Sequence, residues 1–394
     1  MKKLVFPSIC LFLAIACQAR IITVDNDGPA DFDTIQPAID AALDGDVVVV
    51  APGTYTGDGN RDIDFKGKAI TVRSEEGPRT CIIDCQGSRD EPHQGFYFQS
   101  GEDASSALDG FTVTGGYHDH AAVVNCDRSS PRIMNCIISA NTGVGILLFR
   151  SDVFVSNCIV TGNQGTAIAC RHNEPVFLNC TIVRNRQGGV YSSLGRGKIC
   201  LKNCIITDNT VRARRVGTQV YVGGCLSRAG CMAVDIVNCC IEDDPNAVFV
   251  EAWDIWPEPP GISYITADPN FAAPGYWDPN DDPDYSYDDF WVDGDYHLKS
   301  QAGRWNPNSQ SWIQDDVTSP CIDAGDPSTP IGDEPFPNGG TVNIGAYGGT
   351  AEASKSYFGQ QLCETIIAGD IDGDCRVDLA DLKLMSYHWL ERIE

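Results

Sequence analysis

Positive charge is scarce in this chain. Against 54 Asp and Glu stand 28 Lys and Arg, a net charge of −26. Nucleic-acid binding is thereby excluded as a main activity, because phosphates demand a basic face. Long-range attraction to acidic polymers is disfavoured too, unless calcium or a local basic patch intervenes. Much of the acid is local, in 276–296 and at the C-terminus, and most of it serves solubility. Helical periodicity is missing from the central repeats, which excludes two helices per unit. No metal-spaced set of His or Cys, phosphate loop or nucleophile triad is present. No run is long enough to span a membrane: the apolar stretch Leu4 to Ala16, behind Lys2 and Lys3, is too short. It reads as a secretory signal peptide over 1–19, cleaved after Ala19, with Cys17 as an alternative lipid-attachment residue.

Export implies an oxidising compartment, where cysteines ordinarily form disulfides. Two of the 18 Cys fall in the signal. Several of the rest repeat at a fixed rung and read as stacked core thiols. Cys81 with Cys85, or Cys225 with Cys231, are better spaced for bridges.

What is abundant is repetition. Asn-Cys pairs stand at 135–136, 157–158, 179–180 and 203–204, spaced by 22, 22 and 24 residues, with a fifth at 238–239 after an insertion. A second Asn follows in each regular copy, at Asn141, Asn163, Asn185 and Asn209. A period in the low twenties on a β-branched, alternating pattern marks a solenoid. The runs Gly143 to Leu148, Gly165 to Ala169 and Gly188 to Val190 supply a further strand per turn. The fold class is all-β, a right-handed parallel β-helix. Stacked coils set Asn over Asn in amide ladders about 4.8 Å apart. Cys136, Cys158, Cys180 and Cys204 form an inward column, with Phe111 and Ile70 on the same rung earlier.

Near the N-terminus Ile35, Ala38, Ile39 and Ala42 share a helical face, with Thr34 as N-cap and Pro37 in the first turn. This helix is expected to cap the solenoid's open end. Asp46 to Val50 is a buried strand and Pro52 to Tyr55 its turn. From Trp253 to Trp312 regularity decays. Asp278 to Asp295 mixes acids with Tyr and Trp, suited to calcium, to sugar, or to covering the end of the helix.

The stretch DFDTIQPAIDAALDGDVVVVAPGTY (31–55) resembles the opening of pectin-lyase-fold proteins. With the later coils and the phrases SPCIDAGDPSTP (319–330) and NIGAYGGTAEASKS (343–356), residues 21–350 resemble secreted bacterial β-helix repeat proteins. The motifs of methylesterases, polygalacturonases and pectate lyases are absent, so the resemblance speaks to fold and leaves activity open. The β-helix domain is taken as 20–358.

The tail, 363–394, carries Asp370, Asp372, Asp374, Asp378 and Asp381 at positions 1, 3, 5, 9 and 12 of a loop, with Arg376 offering a carbonyl at position 7. That is an oxygen-rich calcium pattern. An amphipathic helix follows, with Leu382, Met385, Trp389 and Ile393 on one side. The tail resembles one repeat of a type I dockerin, which implies calcium as cofactor and a cohesin-like or surface-sorting partner. Dockerins carry two repeats. Position 6 is Cys375 in place of Gly, and a bridge to Cys363 would hold the turn.

Polar residues collect on the turn after each Cys rung: Tyr117-His118-Asp119-His120, then Arg184-Asn185-Arg186, then Arg212, Arg214 and Arg215. For a lyase, His118 or His120 would be the base, with Arg184 and Arg212 neutralising a uronate. Hydrolysis would use two carboxylates, for which Asp119 and Asp208 are the candidates. Arg171, His172 and Glu174 form a second polar turn. The expectation is a secreted, extracellular or surface protein that binds or processes polysaccharide, as a lyase before a glycoside hydrolase if it is an enzyme. The alternative is a non-catalytic adhesion solenoid.

Overall fold

The computed structural model describes residues 19–117, 122–193, 197–211, 218–223, 232–250, 261–280 and 289–359, with a few isolated positions in the tail. Each 22-residue repeat makes one coil of three short strands. In one coil these are Ala122–Asp127, Arg132–Met134 and Ile137–Ser139; in the next, Val144–Phe149, Phe154–Ser156 and Ile159–Thr161. Equivalent strands of successive coils pair in parallel and in register, so three faces run the length of a parallel β-helix. Face 1 stacks Ile133 on Val155 on Phe177 on Leu201. Face 2 stacks Ile138 on Val160 on Ile182 on Ile206. Face 3, a sheet of eight strands, stacks Val124 on Ile146 on Ile168 on Val190. All twelve side chains point inward and are buried. Each contributes about 1.5–3 kcal/mol, which is why β-branched residues recur at these positions.

The corner between faces 1 and 2 is the Asn-Cys pair. Asn135, Asn157, Asn179, Asn203 and Asn238 all lie in the left-handed region, with φ of 52°, 53°, 50°, 54° and 48°. Asn adopts that conformation more readily than other side chains. The Cys that follows turns inward, and Cys136, Cys158, Cys180, Cys204 and Cys239 form a buried column. Phe111 belongs to this rung, since Thr112 after it pairs with Ile137. Ile70 does not. It precedes the face 1 strand Thr71–Ser74, and Cys81 takes the rung because Ile82 pairs with Thr112. Cys81 and Cys85, expected as a bridge, are free buried thiols at the start of and just after the strand Cys81–Asp84. Cys225, Cys231, Cys363 and Cys375 lie outside the described residues.

At the corner between faces 2 and 3 the second Asn of each repeat turns inward. Asn141, Asn163, Asn185 and Asn209 are buried and bond amide to amide at 2.8–2.9 Å. The amide ladder is made by this second set. In the first set one such bond occurs, Asn203 to Asn179 at 3.0 Å.

The helix Ile35–Ala41 buries Ile35, Ala38 and Ile39. Thr34 stands at its N-cap with no side-chain capping bond. Asn60 supplies the acceptor instead, taking the Ile35 N–H at 3.0 Å. Gly53–Tyr55, expected as a turn, is the first strand of face 2 and pairs with Cys81–Ile83. Tyr55 points into the core there and is fully buried.

The parallel columns end with Ile262–Ile265, which pairs with Met232–Ile241 from face 1 around the corner into face 2. The chain then returns along the outside of face 2. Phe271, Tyr296, Leu298 and Ile344 form a second apolar cluster with the outward side chains of face 2, among them Ile159 and Ile205. Antiparallel pairs Tyr276–Asp278 with Phe290–Val292, and Arg304–Asn306 with Ser311–Ile313, belong to this roof. No described helix is long and apolar enough to cross a membrane.

Candidate functional site

The residue before each ladder Asn is also left-handed: Ala140 (φ 56°), Gly162 (60°), Arg184 (58°) and Asp208 (56°). This backbone turn sends the Asn inward and the preceding residue outward. At Gly162 the roof closes in, since a Cβ there would meet the Trp291 ring at 2.1 Å. The corner opens at the next two coils, and the outward residues there are Arg184 and Asp208.

They line a cavity of about 690 Å³ with Glu242, Asp268, Asn270 and Lys299. It continues into a second of about 490 Å³ that shares Arg184, Asp208 and Glu242 and adds Arg186 and Trp277. Together they make an open cleft between the solenoid corner and the roof. Arg184 grips Asp208 through Nε at 3.1 Å and Nη2 at 3.0 Å. Trp277 is anchored by its indole N–H, which donates to the Arg184 carbonyl at 3.2 Å. The Arg186 guanidinium lies 3.9 Å over the Trp277 ring and pairs with Asp289. This cation–π contact fixes the wall of the cleft.

Glu242 differs from Asp208 in its surroundings. Gln219 Nε2 donates to its Oε2 at 2.6 Å, and the Asp208 main-chain N–H also donates to its carboxylate. Burial raises its pKa above the usual glutamate value. The negative charges of Asp208 and Asp244 push the same way, and the two hydrogen bonds oppose them in part. Two carboxylates thus sit in one cleft: one exposed and ion-paired, one half-buried and biased toward its protonated form.

Of the residues expected from sequence, Arg184 and Asp208 meet in this cleft. His118, Asp119, His120, Arg212, Arg214 and Arg215 lie outside the described residues, as does the calcium pattern of Asp370, Asp372, Asp374, Arg376, Asp378 and Asp381. Arg171 and His172 are placed elsewhere, at the corner between faces 3 and 1, where His172 packs edge-on against Phe149. Among the described residues no group of three His, Cys, Asp or Glu is arranged to hold a metal ion. Glu242, Gln219 and Trp277 went unnoticed in the sequence. Glu242 follows the fifth Asn-Cys pair, after the insertion has broken the period. Gln219 enters the amide ladder ten residues after Asn209, where no repeat spacing points to it.

Residues 68–254 match the family described as right handed beta helix region, and residues 263–325 match the one described as disaggregatase related. The solenoid is a right-handed β-helix. The second match falls on the roof, beginning in its last parallel strand. Among solved structures, the chain is similar to the pectate lyase Pel9A, at a TM-score of 0.49 and 14% identity, over 83% of this chain and 96% of that one. No curated protein matches the chain.

Proposed function

We propose that this β-helix protein binds polysaccharide in the corner cleft and hydrolyses it, with Glu242 as proton donor and Asp208, paired with Arg184, as the second carboxylate. The observation that carries this reading is the split between the two carboxylates. Arg184 pairs with Asp208, while burial and neighbouring charge favour the protonated form of Glu242. Environments that push two carboxyl groups apart assign the acid and the base in glycoside cleavage. Trp277, half-buried in the cleft wall, adds an aromatic surface of the kind sugars pack on. Elimination is the weaker reading, because the Arg184 guanidinium that would neutralise a uronate is engaged by Asp208. The test is release of reducing ends from a panel of acidic and neutral polysaccharides, with unsaturated-product absorbance followed in parallel. Glu242→Gln is expected to lower turnover at least about 100-fold, in line with the loss of a general acid. Wild-type turnover that survives in both Glu242→Gln and Asp208→Asn would exclude the pair. Retention of polymer with no turnover in the wild type would mark a binding scaffold, the adhesion alternative.

The same reading extends to the chain's ends. The signal-like segment 1–19 directs export, and the helix Ile35–Ala41 closes the solenoid. The tail holds calcium through the carboxylates of Asp370, Asp372, Asp374, Asp378 and Asp381 and the carbonyl of Arg376, a hard, all-oxygen donor set that suits this ion. A cohesin-like or surface partner then takes the ordered tail. Calorimetric titration with calcium should give one binding event that Asp370→Ala and Asp381→Ala abolish; heats unchanged by both variants would rule the loop out.

A further inference from the structure

The buried amides between faces 2 and 3 all point one way. The Gly116 N–H donates to Asn141 Oδ1 at 2.8 Å. Asn141 Nδ2 donates to Asn163 Oδ1 at 2.9 Å, Asn163 to Asn185 at 2.8 Å, and Asn185 to Asn209 at 2.9 Å. Asn209 Nδ2 donates to Gln219 Oε1 at 2.6 Å, and Gln219 Nε2 donates to Glu242 Oε2 at 2.6 Å. The ladder ends on the carboxylate of the cleft.

The backbone dictates this direction. Each accepting oxygen also takes a main-chain N–H: Asn141 N to Asn163, Asn163 N to Asn185, Asn185 N to Asn209 and Asn209 N to Gln219, at 3.0–3.2 Å. Each donating NH2 places a second hydrogen on a main-chain carbonyl, of Val113, Ile138, Val160 or Ile182, at 2.8–3.1 Å. Turning any one amide over would set donors against donors and acceptors against acceptors in a buried site. Aligned hydrogen bonds polarise one another, so the last donor is strengthened by those behind it.

We propose that the amide ladder is a positioning device for the cleft, delivering a polarised N–H to Glu242 with Gln219 as the positioning residue and Asn141 to Asn209 acting through it. The proposal rests on the reading of Glu242 as the cleft's acid. A ladder that served only the core could have ended on any acceptor, or on water. Here it ends on the one residue whose proton the reading needs, and holds its carboxyl in a single orientation. The other charged groups around Glu242 are Arg184, Asp208, Asp243 and Asp244 from the solenoid turns, and Asp268 and Lys299 across the cleft. None of them is altered by changing Gln219.

The experiment is the titration of Glu242 by carbon NMR in glutamate-labelled protein, with Glu242→Gln supplying the assignment. Gln219→Met removes the donor at nearly constant volume, and its midpoint should rise on the order of one pH unit. Asn141→Ala, four amides away from Gln219, tests transmission and also stands in if Gln219→Met fails to fold. It should move the midpoint in the same direction by less. An unmoved midpoint in a folded Gln219→Met protein, or in Asn141→Ala where that is the variant that folds, overturns the proposal. The two readings fail separately. If the midpoint shifts while Glu242→Gln retains full turnover, the ladder stands and the catalytic assignment falls.

Discussion

Asn163→Ala is the sharpest test of the ladder as a structural element. Asn163 is fully buried in the middle of the column. Its Nδ2 donates to the Ile138 carbonyl at 3.0 Å and to Asn185 Oδ1 at 2.8 Å, and its Oδ1 accepts from Asn141 N at 3.2 Å and Asn141 Nδ2 at 2.9 Å. Truncation breaks all four bonds, but three of the partners keep an alternative. Asn141 Nδ2 retains the Val113 carbonyl, and Asn185 Oδ1 retains the Asn163 main-chain N–H. The Ile138 carbonyl keeps its bond in the parallel ladder with Ile159–Thr161, and the Asn141 N–H loses its bond outright. At about 1–3 kcal/mol for a buried group left without a partner, the loss is about 1–3 kcal/mol, a sizeable share of the total for a domain of ordinary stability. Thr166→Ala, three residues away, removes one exposed bond to the Gln187 carbonyl and should cost under about 1 kcal/mol. Urea titration of both variants, compared at equal m-value, gives the two numbers. A loss below about 1 kcal/mol in Asn163→Ala would show that the stranded group finds water or a new partner, and the reasoning would fail.

Two further expectations concern buried titratable groups. Glu334, almost fully buried under the roof, takes the N–H groups of Asn343 and Gly349 on one oxygen, and burial pushes its pKa up to about 7 from the ordinary 4.5. The unfolded chain therefore releases this proton first, so stability should fall between about pH 4.5 and 7, by roughly 3 kcal/mol in all. Glu334→Gln should flatten that stretch of the stability–pH curve relative to wild type, and parallel curves would contradict the assignment. The column thiols should resist alkylation in the native protein and react together on unfolding, because burial raises the pKa of Cys158 and Cys180 far above the usual thiol value. Rapid native labelling of Cys158 would place the column outside the core.

Much of the solenoid was legible because its physics is periodic. A 22-residue spacing of Asn-Cys pairs fixes the coil, and alternation around Ile133, Val155 and Phe177 fixes which side chains turn inward. The two Asn of each repeat looked equivalent and are not. The first takes the left-handed corner and faces the roof; the second enters the core. Both recur at the same spacing, and the inward Cys that follows the first is the local feature that separates them. Ile70 was misplaced for a related reason: residues 75–80 lengthen one corner, and counting from the period skips a strand that pairing restores. Arg184 and Asp208 were visible as polar turn residues. Glu242 and Gln219 were not, because they reach the site across sheet spacings that the insertion hides.

The position of the cleft follows from how the first Asn column is satisfied. Left-handed corners leave the amides of Asn157, Asn179 and Asn238 facing outward, and the closing phrases of the chain supply their partners. Asn157 Nδ2 donates to the carbonyls of Ala346 and Gly348, Asn179 to Gly348, and Asn238 to Ala324 and Gly325, at 2.7–3.3 Å. The same segment covers Ile159, Val183, Ile205 and Cys240, which would otherwise expose a continuous apolar strip. The later coils of face 2 are therefore covered, and the cleft lies at the rim where the roof leaves the solenoid. There the next corner presents Arg184 and Asp208 in the two coils beyond the one that Trp291 seals at Gly162. One asparagine column recruits the roof that bounds the cleft, and the other ends on the carboxylate inside it.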